Sequence, residues 1–102
     1  MRKVYAVLYN FPTISRAKVK AWANDSSSVL TWRCDLPGAF YLVSEGTATT
    51  LSRELHERLG PRGRFLITEV TDNTYGWLPK DTWYLLKNKR LRPKPTDKKQ
   101  LS

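Results

Sequence analysis

Three observations predict an α+β fold with one antiparallel sheet. Four short β-prone runs, at residues 4–9, 29–34, 39–43 and 65–70, are bounded by turn residues. One helix-compatible stretch falls between the first and second runs, and another between the third and fourth. The link between the second and third runs, Asp35-Leu36-Pro37-Gly38, is by contrast short enough for a hairpin. The implied order is β-α-β-β-α-β.

The first run, Val4-Tyr5-Ala6-Val7-Leu8-Tyr9, is almost wholly apolar and stops at Asn10-Phe11-Pro12, so it reads as a central strand covered on both faces. Thr13 or Ser15 is suited to cap a helix over 16–23, where Ala and Lys favour helix and Asn24-Asp25-Ser26-Ser27-Ser28 ends it. Residues 29–34 and 39–43 form the expected hairpin. Glu45-Gly46-Thr47 breaks the third strand. Thr47 or Thr50 then caps a second helix whose Leu51, Leu55 and Leu59 share one face, and Gly60-Pro61 closes it. Residues 65–70 supply the fourth strand, followed by a loop over 71–74. Two right-handed crossovers over one antiparallel sheet give the ferredoxin-like sandwich, with both helices on one face. The other face is left for a ligand, a terminal element or a second subunit.

The segment Tyr75-Gly76-Trp77-Leu78-Pro79-Lys80-Asp81-Thr82-Trp83 follows the last strand. Pro79 cannot continue a central strand, so the chain is expected to turn or begin a short helical piece before Trp83-Tyr84-Leu85-Leu86. Two tryptophans here need cover, from the sheet or from a second copy of the chain. Tyr75, Trp77, Leu78 and Trp83 are accordingly expected at a packing or dimer interface.

At 102 residues the chain is expected to form one domain over 1–86, followed by a mobile basic tail over 87–102. The formal net charge is +9, and the tail concentrates it: seven basic residues against Asp97 give +6, leaving +3 to residues 1–86. The expected phosphate contacts are Arg2, Lys3, Arg33, Arg62, Arg64, Lys87, Lys89, Arg90, Arg92 and Lys94. Cys34 has no second cysteine to pair with and is expected to pack as a small apolar residue in a reducing cytoplasm. Met1-Arg2-Lys3 runs straight into the first strand, which predicts neither a signal peptide nor a membrane anchor.

The opening strand with Asn10, the run Phe65-Leu66-Ile67-Thr68-Glu69-Val70 and above all Gly76-Trp77-Leu78-Pro79-Lys80-Asp81-Thr82-Trp83 resemble the small bacterial SinR-like family. That family is similar in fold to the second Cas protein of CRISPR adaptation and, more distantly, to VapD-type endoribonucleases. The resemblance covers roughly residues 4–86 and implies a ferredoxin-like domain, often a homodimer. In the nuclease-like relatives an aspartate commonly ends the first strand after a tyrosine, where two copies hold one divalent cation that activates water. Here that position is Asn10, a neutral amide and a poor ligand for Mg²⁺.

No other catalytic set, metal site or cofactor motif is expected. His56 lies between Leu55 and Glu57 as a solvent-facing helix residue, Glu54 and Glu57 belong to a solvated face beside Arg53 and Arg58, and Asp35 belongs to the hairpin turn. Glu69 is expected on an exposed face, and Gly60-Pro61-Arg62-Gly63 lacks the following helix of a phosphate loop. An RNA-recognition motif shares the fold, but its stacking positions fall at Val7, Ala39 and Tyr41, only one of them aromatic. Trp32 and Arg33, with Tyr41 across the hairpin, offer a stacking surface or, more simply, a packing contact or dimer seam.

Three functions fit these residues. The first is a non-catalytic, dimeric protein associated with RNA or DNA. The second is a divalent-metal endoribonuclease with an altered metal site. The third is a phage or mobile-element regulator that binds a protein partner through a sheet edge.

Overall fold

The computed structural model describes residues 1–89. Seven elements follow one another: β1 (Lys3–Tyr9), α1 (Arg16–Asp25), β2 (Thr31–Leu36), β3 (Ala39–Ser44), α2 (Ala48–Leu59), β4 (Phe65–Glu69) and α3 (Lys80–Asn88). All four strands join one antiparallel sheet in the order β2-β3-β1-β4, the ferredoxin-like arrangement expected from the element order. Helix α1 starts at Ser15, whose hydroxyl accepts from the Lys18 amide at 3.2 Å; α2 starts at Thr47, which accepts from the Thr50 amide at 3.2 Å. Both are the side-chain caps that such residues supply.

Strand alternation divides the side chains into two sets. Tyr5, Val7 and Tyr9 of β1 point toward α1 and α2 and meet Trp32, Phe40, Leu42 and Ile67 from the other strands. Against them the helices pack Val19, Trp22 and Ala23 from α1 and Leu51 and Leu55 from α2. This is the main core. Trp32 stacks on Phe40 with centroids 4.9 Å apart, and its indole Nε1 donates to Asn24 Oδ1 at 2.9 Å, which ties β2 to the end of α1.

The opposite face of the sheet is built of three cross-strand rows. Val4 stands beside Val43 and then Thr31; Ala6 stands between Thr68 and Tyr41, with Arg33 beyond; Leu8 stands between Leu66 and Ala39, with Leu36 beyond. Helix α3 lies over the first row, packing Leu85 and Leu86 on Val4 and Val43 with Trp83, Leu78 and Tyr41 at the margin. It stops short of the third row. Leu8, Leu36 and Leu66 are therefore 44%, 42% and 58% exposed, so β1 is not covered on both faces along its whole length.

Two elements differ from the sequence reading. Strand β2 begins at Thr31 and runs on through Asp35 to Leu36, leaving only Pro37-Gly38 as the turn. A bulge between Arg33 and Leu36 inserts one residue, which rotates Leu36 onto the face of Ala39. Gly38, at φ 76°, takes the left-handed position that a Pro-Gly turn requires, and its carbonyl accepts from the Tyr9 amide at 2.9 Å. The second difference is α3, a helix of 9 residues where a short helical piece was expected. Lys87 belongs to its last turn and Lys89 is its C-cap, so helix occupies the start of the segment expected to be tail.

Glu54 also departs from expectation. It is half-buried beneath the α1–β2 loop and accepts from the Ser26 hydroxyl at 2.5 Å and the Ser28 hydroxyl at 2.7 Å. Desolvation pushes the carboxyl pKa up, but the hydrogen bonds from Ser26 and Ser28 outweigh it and hold the pKa below the ordinary 4.5. A carboxyl whose folded pKa is depressed stabilises the fold above its unfolded value, and that contribution is lost as pH falls through the folded value. Glu54→Gln is expected to cost about 1 kcal/mol at pH 7. The difference from the parent chain should close as pH falls through the folded value. Urea melts at neutral pH and through the acid range check this: a gap that stays constant would show that the charge of Glu54 is irrelevant.

Candidate nucleic-acid interface

The expected phosphate contacts do not form one patch. Arg2 and Lys3 stand at the start of β1, and Lys87 and Lys89 stand at the end of α3, which lies over that half of the sheet. The hollow that holds Lys87 and Lys89 also holds Glu69 and Asp72, so its charges largely cancel. Arg62 and Arg64 are exposed at the other end, where the Asn10 amide donates to the Arg64 carbonyl at 3.2 Å. A strand of this length separates the two groups by about 20 Å. Arg33 lies between them on the second face, 3.6 Å from Asp35 and already engaged with that carboxylate. Arg90, Arg92 and Lys94 lie outside the described residues.

The stacking surface expected from Trp32, Arg33 and Tyr41 is divided by the sheet. Adjacent strand residues face opposite ways, so Trp32 is sealed in the main core while Arg33 pairs with Tyr41 on the second face. Burial, with Asp35 and Cys34 adding to it, raises the Tyr41 phenol pKa and keeps the ring neutral. Trp32 cannot meet a base.

The segment after β4 carries the aromatic surface instead. Tyr75 and Trp77 are 94% and 95% exposed, whereas Trp83 and Leu78 are half-buried against the α3 side of the sheet. Of the four residues expected at an interface, two are thus covered by the chain's own fold and two are not. The Tyr75 and Trp83 rings lie 6.5 Å apart at 38°, within the range of interacting aromatics. Trp77, Trp83, Lys80 and Lys87 share with them one open hollow of about 520 Å³. Lys80 was not singled out by the sequence reading. Its spacing to Trp83 and Lys87, i, i+3 and i+7, becomes informative only once the segment is known to be helical.

No family model, curated protein or solved structure matches this chain. The site must therefore be read from its own chemistry. Among the described residues, no group of three or more His, Cys, Asp and Glu side chains comes together, and no helix is long and apolar enough to cross a membrane. Asn10 is exposed just beyond β1, its carbonyl accepting from the Ile14 amide at 2.7 Å. His56 and Glu69 are exposed, as their sequence contexts suggested. Cys34 is half-buried against the main core; burial raises its thiol pKa, opposed by Arg16 and Lys20, so it stays protonated at neutral pH. A missed cation is Arg16, whose guanidinium sits 5.9 Å above the Phe11 ring near the Asn10 end.

Proposed function

We propose that the chain is a non-catalytic protein of ferredoxin-like fold that associates with nucleic acid. The observation that carries this reading is the formal charge of +9 on 102 residues, with cations presented at both ends of the sheet and along α3. Kinship with the SinR-like family and a homodimeric state belong to the same proposal. The first rests on the motif spanning Gly76 to Trp83 together with the fold. The second rests on the apolar residues left uncovered on the sheet.

A salt titration tests the reading. Binding to an oligonucleotide should weaken linearly in log–log terms as salt rises, because the counterions released on binding gain less entropy in a more concentrated bath. Deleting residues 90–102 removes five basic residues and one acidic residue, and should flatten the slope on a single strand by about 3. No binding at low salt sinks the proposal. RNA incubated with Mg²⁺ or Mn²⁺ should remain intact; cleavage that disappears in Asn10→Ala would restore the metal-nuclease reading.

A second reading is favoured by Leu8, Leu36 and Leu66, which form an uncovered apolar row across the sheet. Such a row suits a protein partner. Its mark is a single protein that stays bound after nuclease treatment and is lost when Leu66 is changed to Lys.

A further inference from the structure

The hollow beside α3 combines features that the reading of net charge leaves unused. Lys80, Trp83 and Lys87 form one stripe of α3, so an indole lies between two lysines whose backbone positions are about 10 Å apart along the axis. Facing the stripe, the loop presents Tyr75 and Trp77, whose rings give up almost no surface to the rest of the protein. Neither ring contributes to the core. We propose that this hollow is a base-stacking subsite for single-stranded nucleic acid, with Tyr75 and Trp77 taking unpaired bases and Lys80 and Lys87 holding the flanking phosphates.

The choice of occupant follows from the charge and the shape of the exposed groups. Aromatic rings bind bases through their π-faces, which a single strand offers and a duplex keeps stacked. The two lysines attract a polyanion. A second copy docked here about a two-fold axis would instead bring its own Lys80 and Lys87 toward the first pair, and that repulsion disfavours self-association at this surface. Glu69 and Asp72 meet the Lys87 end of the stripe, and Glu69 also shares a hollow with Tyr75 and Trp77, but neither carboxylate lines the hollow that holds Lys80.

This inference rests on the proposed nucleic-acid association, and the experiment separates the two. Tyr75→Ala retains Trp77, the exposed tryptophan, as a fluorescence reporter, while Trp77→Phe identifies its share of the signal. Full-length parent and Tyr75→Ala chains are titrated with a 12-nucleotide oligo(dT) or oligo(rU) and with a duplex of equal length, at low salt. Thermal melts verify that both variants are folded, as expected for positions outside the core. The expected result is quenching of Trp77 by the single strands and a loss of about tenfold in their affinity on Tyr75→Ala, with duplex affinity changed less than about twofold.

If the parent binds both ligands with a salt-dependent slope but Tyr75→Ala leaves them equally affected, the subsite is wrong and the general association stands. If the parent binds neither, both fall. A dimer in sedimentation that dissociates on Tyr75→Ala, or Trp77 signals given only by anionic phospholipid vesicles, also overturns the assignment.

Discussion

Trp32→Ala is expected to lower the thermal midpoint by about 20 °C, the largest single-residue effect in the domain. Trp32 is fully buried on an edge strand, stacks on Phe40, and donates from Nε1 to Asn24, so one side chain joins β2, β3 and α1. Truncation removes the transfer free energy of an indole and leaves a cavity between sheet and helix. Such changes cost about 3–5 kcal/mol, against a total of about 5–15 kcal/mol for a domain. The variant should therefore be marginal at room temperature. Trp32→Phe keeps an aromatic surface against Phe40 and gives up the hydrogen bond and some volume, so it should lose less than half as much. Far-UV circular dichroism on heating makes the comparison. A shift below 5 °C for Trp32→Ala would mean that the ring is not packed as described.

The sheet, α1 and α2 were legible because their signals are local. Apolar residues recur at the helical spacing of Leu51, Leu55 and Leu59, and Ser15 and Thr47 stand where the caps are needed. The edge of β2 was not legible, because Asp35-Leu36-Pro37-Gly38 has turn composition while the bulge keeps Asp35 and Leu36 in the strand. Helix α3 was under-read for a similar reason. Pro79 at its N-cap suggested a turn, and the Lys-rich run beginning at Lys87 suggested a tail, although Leu85 and Leu86 have apolar partners on the sheet. The aromatic cluster was found from composition. Its division into a covered half and an exposed half was not, since that depends on where α3 lies. The same tertiary dependence explains Glu54: its serine partners lie 26 and 28 residues away, and a helical wheel cannot show them.

Helix α3 should come away from the sheet in Thr82→Val while the rest of the domain remains folded. Thr82 is fully buried, and its hydroxyl donates to the carboxylate of Asp35, which otherwise has Arg33 at 3.6 Å. Valine keeps the shape and removes the donor, leaving a largely covered carboxylate one hydrogen bond short. A bond to a charged acceptor contributes about 1.5–3 kcal/mol. The helix has few resources to absorb that loss, because its apolar contacts are confined to the small cluster around Val4 and Val43 and Pro79 gives no side-chain cap. Native-state hydrogen exchange should show amides 82–88 losing protection by about tenfold or more, with those of β1 and β3 unchanged. Uniform loss across the sheet would instead mean that α3 is part of the global folding unit. The double variant Thr82→Val/Asp35→Leu distinguishes an unsatisfied carboxylate from a simple packing defect. Replacing both polar partners by apolar groups of similar shape removes the orphaned carboxylate but also takes the carboxylate partner from Arg33, so it should restore part of the protection lost in the single variant. Because Lys80, Trp83 and Lys87 reach their shared hollow only from a docked α3, Thr82→Val should also weaken single-strand binding, and the double variant should recover part of it.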